Sequence, residues 1–277
     1  MQKNYLSLAV AFLMAGQAVS SHAADSYIED DTPTGLMVDV REAPATQEKG
    51  KDWKIDLSLG ANFTSGNSDT IGANGMLSIA RQIGVDLFEM KFKGSYLQSE
   101  VEEEQDGLTI AKDEVTEQNA RGFTWYKKML GERWFIYPFA EVFHDDPAYI
   151  ELRTTAGGAI GYDLIKTEHA LLSFDVGSAY VIEKSTEGEE DEYANVHLRM
   201  FHKYEFSETA RIWEECKFIA KTDDVSDHLI EAEAGVETDI SSGFSLKLVA
   251  ENRYDSDPIE DVEKNDFSIS AFVVFKY

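Results

Sequence analysis

Trp53–Thr64 reads WKIDLSLGANFT, and its alternation decides the fold. Trp53, Ile55, Leu57, Leu59, Ala61 and Phe63 share one parity, while Lys54, Asp56, Ser58, Gly60, Asn62 and Thr64 share the other. Successive side chains of a strand point to opposite faces, so this pattern describes a strand between an apolar and a polar medium. The last segment repeats it. Phe267, Ile269, Ala271, Val273, Phe275 and Tyr277 alternate with Asp266, Ser268, Ser270, Phe272, Val274 and Lys276. Ten further candidate segments lie between these ends, near 70–82, 86–97, 116–128, 133–143, 149–164, 170–182, 193–206, 210–221, 228–239 and 244–254. The total is twelve, an even number.

In several of these segments the charge is confined to one face. Glu89, Lys91 and Lys93 oppose Phe88, Met90 and Phe92, and Lys247, Glu251 and Arg253 oppose Leu246, Leu248 and Ala250. In a soluble sandwich the polar face would be the outside; in a membrane barrel it would be the lumen. Three features favour the barrel. Short joins near Gly84, Gly131, Thr167, Ser207 and Ser241 interleave with longer ones at 98–115, 183–192, 222–227 and 255–264, the habit of outer-membrane barrels, although the joins at 64–69 and 144–148 are not longer. The final strand ends on an aromatic, Tyr277, and needs a partner, which closure against the first strand supplies. Aromatics, among them Trp53, Tyr96, Trp125, Trp134, Tyr180 and Tyr254, gather near strand ends, where interface girdles sit. The expected fold is all-β, a single antiparallel up-and-down transmembrane β-barrel of about 12 strands with both termini periplasmic. Two segments fit poorly. In 210–221 a lipid-facing Ile212, Cys216 and Phe218 brings Glu214 with it, which calls for an interface position or a bulge. In 133–143 both faces are apolar or aromatic.

Upstream of the barrel, residues 1–23 predict a signal peptide. Lys3 precedes the apolar run Tyr5–Ala15, and Ser21 and Ala23 suit a cleavage site before Ala24. The run is too short for a spanning helix, and no later stretch approaches the about 20 apolar residues that such a helix needs. Residues 24–52 hold Asp25, Glu29, Asp30, Asp31, Pro33 and Pro44 and predict an acidic, flexible periplasmic segment, in which Leu36–Val40 is a further short apolar run. The barrel then spans 53–277. A net charge of −27, from 25 Lys and Arg against 52 Asp and Glu, excludes a nucleic-acid partner, which needs a basic face. The single Cys216 cannot form an internal disulfide and reads as a small apolar strand residue.

With the strands laid out, LSLGANFTSGNSD (57–69), AGGAIGYDL (156–164), LSFDVGSAYVIE (172–183) and RYDSDP (253–258) resemble, in order and spacing, the salt-induced outer-membrane protein family, YdiY-like, a domain of unknown function numbered 481. The resemblance runs from Trp53 to Tyr277 and implies an outer-membrane barrel. It implies no catalytic residues and no cofactor.

The candidate chemistry is electrostatic. One acidic loop holds Glu102, Glu103, Glu104 and Asp106, and another Glu189, Glu190, Asp191 and Glu192. Clustered oxygen ligands suit divalent cations bridging to lipopolysaccharide phosphates, although no calcium-loop pattern occurs and a solvated loop face has the same composition. Mixed charges are expected in the lumen, among them Lys91, Arg121, Glu151, Arg153, Arg199, Glu233, Glu251 and Arg253. Paired across the lumen they fill it; threaded by water they line a narrow channel. Gly157, Gly158 and Gly161 predict bending or close packing. The Thr64–Thr70 stretch reads as a turn, since its serines have no nearby base.

Enzyme readings are weaker. A phospholipase of the outer-membrane type places Ser two residues after His, which no histidine here shows. His144-Asp145-Asp146 on an outer loop is similar in composition to an outer-membrane aspartyl protease, but the stretch also suits a turn. The sequence therefore predicts a non-enzymatic barrel, a narrow cation-preferring channel or, in the alternative, a structural envelope barrel. Its expected partners are the outer membrane, lipopolysaccharide, divalent cations and the barrel-assembly machinery.

Overall fold

The computed structural model describes residues 53–65, 70–105, 108–145, 150–186, 188–256 and 264–277. Twelve strands run β1 (Lys54–Ser65), β2 (Thr70–Ile83), β3 (Asp86–Gln105), β4 (Leu108–Met129), β5 (Trp134–Asp145), β6 (Ile150–Lys166), β7 (Ala170–Ser185), β8 (Glu190–Glu205), β9 (Ala210–Lys221), β10 (His228–Ser241), β11 (Phe244–Asp255) and β12 (Asn265–Lys276). Each pairs antiparallel with its chain neighbours, and β1 closes on β12 from Asp56↔Lys276 to Ser65↔Phe267. Closure leaves no sheet edge, so every strand finds two partners for its backbone, the condition for crossing lipid. The two described ends meet at one rim, where Ile55 N–H donates to the Tyr277 carbonyl at 3.1 Å and Tyr277 N–H returns the bond at 2.8 Å. The tight turns share that rim. At one of them, Ile83 pairs with Asp86 and Gly84 sits at φ 66°, a left-handed conformation that glycine adopts without strain.

Parity sorts the side chains as the sequence predicts. Leu57, Leu59, Phe92, Val142, Ile160, Phe174, Val176, Leu198, Leu246, Leu248 and Ile269 point outward and are exposed. A water-soluble surface rarely carries so continuous an apolar belt, which is the surface lipid requires. Trp53 with Phe88 and Trp134 with Tyr162 stack edge to face near the tight-turn rim. The fold class is thus an all-β, closed antiparallel barrel of twelve strands.

Several local expectations are corrected. The stretches 98–115 and 183–192 are largely strand rather than loop: β3 and β4 continue to Gln105 and from Leu108, and β7 and β8 reach Ser185 and start at Glu190. Beyond the apolar belt both faces of a strand meet water, so hydrophobic alternation, the only signal in the sequence, fades there. Trp125 belongs to no girdle. It faces inward, 3 % exposed, with its indole N–H on Glu89 Oε2 at 2.8 Å. Glu151 is not a lumen residue either: a register shift between Ile150 and Leu152 turns it out to an exposed pair with Lys184 at 2.5 Å. His144 and Asp145 lie on β5, not on a loop, and His144 Nδ1 contacts the Glu151 carbonyl at 3.0 Å. The turn at 66–69, Asp106, Asp146, residues 1–52 and residues 257–263 with their carboxylates fall outside the described residues.

Glu214 needs no bulge. β9 pairs in unbroken register with both neighbours, so Glu214 faces outward, four residues from the strand's start at the tight-turn rim. There it meets His202 Nδ1 at 3.4 Å on the neighbouring strand. Cys216 follows it on the same outward parity and is a free thiol. The two apolar faces of β5 also resolve. Phe135, Tyr137 and Phe143 fill the lumen while Trp134, Ile136 and Val142 face outward.

Candidate functional site in the barrel lumen

The inner face is built by parity, then filled by side-chain size. Large apolar side chains, most of them rings, occupy inward positions from β3 to β12. Leu87, Phe123, Trp125, Phe135 and Tyr137 form one cluster, and Leu171, Phe201, Trp213, Val249, Phe272 and Val274 form another. Five inward glycines make room for rings in directly paired positions. Gly60 faces Phe272, Gly157 faces Phe139, Gly161 faces Phe135, Gly177 faces His197 and Gly235 faces Trp213. A Cβ added at any of the five would collide with the opposite ring. Close packing at Gly157 and Gly161 therefore matches expectation, with rings as the reason.

Charges thread between the rings. Arg199 is central: its guanidinium donates to Asp175 Oδ2 and to Glu215 Oε2, each at 3.1 Å. Asp175 also accepts Tyr137 O–H at 2.7 Å, across β6, where Gly161 leaves the space. Lys91 sits 3.4 Å from Glu89, and the two side chains are each 1 % exposed. Trp213 N–H donates to Glu233 at 2.6 Å. Near the tight-turn rim, Asp163 gathers Ser173 O–H at 2.7 Å, Lys166 at 3.3 Å and Lys127 at 3.8 Å. Glu237 holds Arg211 and, at 2.7 Å, Lys276, which ties β12 across β11 to β10. Toward the other rim, Arg153 pairs with Glu183 at 2.5 Å, and Arg121 and Arg153 both lie over the Phe143 ring, at 4.4 and 5.8 Å. Most of these buried charges meet a counter-charge or a hydrogen bond on their own strand or a nearby one, as a low-dielectric interior demands, while Glu141 Oε1 and Glu231 Oε1 are buried without a hydrogen-bond partner.

Seven residues singled out from sequence, Lys91, Arg121, Arg153, Arg199, Glu233, Glu251 and Arg253, all stand on inward positions. They belong to several separate pairs, not to one constellation. Reading the sequence missed Glu215, Glu237, Glu141, Lys127 and Asp163, which share the inward parity of their strands. Parity would have found them; their pairing depends on register. Of the acidic residues, Glu102, Glu103 and Glu104 lie on β3, paired in register with Ala111, Ile110 and Thr109. Glu189, Glu190, Asp191 and Glu192 are exposed at the start of β8. In the neighbouring 222–227 loop, Ser226 donates its hydroxyl and its N–H to Asp224, which holds that carboxyl below the usual carboxylate range. Among the described residues no group of three or more His, Cys, Asp or Glu is arranged to hold a metal ion.

One strip of the lumen is not filled. The inward residues Met76, Ser78 and Ala80 of β2 are small or flexible and keep partial accessibility. So do Lys93 on β3 and Glu251 on β11, at 22 % and 13 %. Partial accessibility recurs on β9, where the inward Arg211 and Lys217 keep 12 % and 14 %.

Comparison places this architecture among known folds. The structure is similar to the NanC porin with a TM-score of 0.55 and 9 % identity, covering 80 % of this chain and 100 % of that one. It is also similar to the KdgM porin (TM-score 0.49, 9 % identity, 80 % and 99 % covered) and to the Pseudomonas putida toluene transporter TodX (0.44, 9 %, 82 % and 89 %). At such identity the likeness concerns fold alone, and that fold is the outer-membrane-porin type of barrel. A search of curated protein sequences gives no match. The family model described as "Protein of unknown function, DUF481" matches residues 57–277, from the first strand to the last, and the chain belongs to that family.

Proposed function

We propose that the protein is a narrow outer-membrane channel for small solutes, with a preference for cations and no catalytic role. The observation that carries this reading is the partial accessibility of the inward residues Met76, Ser78, Ala80, Lys93 and Glu251 in a lumen that is elsewhere largely filled by rings and paired charges. Water-reached polar residues down one side of a closed barrel are the minimum a conduction path needs. The strip carries both signs, so it discriminates weakly. The preference comes from the rim, where exposed Glu189, Glu190, Asp191 and Glu192 raise the local cation concentration. Residues 1–23 direct export, the barrel-assembly machinery inserts the chain, and both termini lie in the periplasm. The acidic rim, with the Glu102–Glu104 and Asp106 carboxylates, faces outward, where divalent cations bridge it to lipopolysaccharide phosphates.

The test is single-channel recording of refolded protein in a planar bilayer under a KCl gradient. Reproducible steps with a cation-selective reversal potential are expected. Neutralising the β8 cluster (E189Q/E190Q/D191N/E192Q) moves the reversal potential toward zero and leaves the barrel folded. Silence from protein shown to be folded and inserted overturns a path that is open at rest. A second reading is supported by the near-total burial of Glu89, Lys91 and Asp163: a side-chain-plugged barrel that stiffens the envelope. Under that reading the same neutralisation leaves no electrical signature and weakens Mg²⁺-dependent binding to lipopolysaccharide vesicles.

A further inference from the structure

Two facing walls of the lumen carry like charges side by side. Lys93 on β3 stands directly opposite Arg121 on β4, and Glu233 on β10 directly opposite Glu251 on β11, all four inward. Like charges at directly paired positions repel, so each couple destabilises its own hairpin. The repulsion is relieved across the lumen, where Lys93 Nζ reaches Glu251 Oε1 at 3.5 Å. Around the wall β2, β1 and β12 separate β3 from β11, so this contact is a chord through the barrel and not a bond between neighbours. The acidic side is held in place from behind: Glu233 accepts the Trp213 N–H at 2.6 Å, and the other Glu251 oxygen is 3.5 Å from Ser268 Oγ.

The pair spans the barrel instead of joining neighbouring strands, and it is more accessible than the most deeply buried pairs of the lumen. Lys91–Glu89 and Arg199–Asp175 are enclosed, with desolvated partners that cannot separate without a large penalty. Lys93 and Glu251 are reached by water at the accessible strip, and a water-reached pair between a flexible lysine and a carboxylate opens readily. When the lysine swings away, Glu251 and the directly paired Glu233 are left as two adjacent carboxylates.

We propose that the Lys93–Glu251 pair is the gate of the lumen and that Lys93 sets its charge selectivity by masking Glu251 and Glu233. This rests on the channel reading and adds to it the residues that close the path.

The experiment compares wild type, K93Q, E251Q and the swap K93E/E251K by single-channel recording, with insertion checked by protease protection in lipid vesicles. K93Q is expected to raise conductance and shift the reversal potential toward ideal cation selectivity. E251Q raises conductance with the opposite shift, and the swap returns both readings to wild type. If wild type conducts and the single variants match it, the gate is overturned and the channel stands. If wild type is silent and the single variants conduct, the gate stands and the lumen is closed at rest. Silence from all four inserted proteins overturns both ideas, and a swap that conducts like the single variants overturns the pairing.

Discussion

Replacing Arg199 with Met is expected to destabilise the barrel by about 3–5 kcal/mol, the usual effect of removing one partner from a buried ion cluster. The magnitude follows from what Arg199 leaves behind. Asp175 is fully enclosed and Glu215 nearly so, and both accept from the one guanidinium at 3.1 Å. Tyr137 O–H still serves one Asp175 oxygen, at 2.7 Å, but a neutral hydroxyl cannot offset two carboxylates. Methionine fills much of the aliphatic volume, so the loss is electrostatic rather than a cavity. The triple variant R199M/D175N/E215Q then recovers most of the stability, because no uncompensated charge remains. Urea unfolding in lipid vesicles, followed by tryptophan fluorescence, reads both, since Trp125 and Trp213 lie inside the lumen. An R199M barrel within about 1 kcal/mol of wild type would mean that water reaches the triad and that the lumen there is open.

That triad shows where reading the sequence succeeds and where it stops. The alternation from Trp53 to Phe63 and from Asp266 to Lys276 carried the fold class, the strand number and the assignment of charged parities to the inside. Those are properties of single strands, and a single strand displays them. Pairing is a property of two strands. Asp175 and Arg199 are directly opposite, yet nothing within either strand states their register. Glu215 escaped although the parity of Ile212, Cys216 and Phe218 put its neighbour Glu214 toward lipid, because what could hold either carboxylate was not legible within β9. The answer came from the His202 partner of Glu214 and the Arg199 partner of Glu215. The extended β3–β4 hairpin was hidden for the opposite reason. Its outer residues, such as Glu102–Gln105, are polar on both parities, so a strand there looks like a loop.

The glycines were legible as glycines and illegible as sockets, and they carry the second large effect. Gly235→Ala is expected to cost roughly 2–6 kcal/mol, from overpacking and from the loss of a buried hydrogen bond. The added Cβ would fall within the Trp213 ring, directly opposite in register. The indole must then leave its place, and its N–H must release Glu233, which it holds at 2.6 Å. Both β9 and β10 continue through this site in unbroken register, so the strands have no bulge with which to yield. Gly75→Ala supplies the comparison. Gly75 points outward, and its Cβ would meet Leu59 Cδ2 at an ordinary 3.7 Å, so that variant stays within about 1 kcal/mol of wild type. Trp213→Ala alone leaves a cavity and costs about 3–5 kcal/mol. The decisive variant is W213A/G235A, measured by the same unfolding. If the ring and the Cβ compete for one space, the double variant costs less than the sum of the two singles, because the collision vanishes with the ring. Additive losses would show that Gly235 serves backbone geometry instead, and would remove the ring-and-socket account of how a lumen this crowded closes at all.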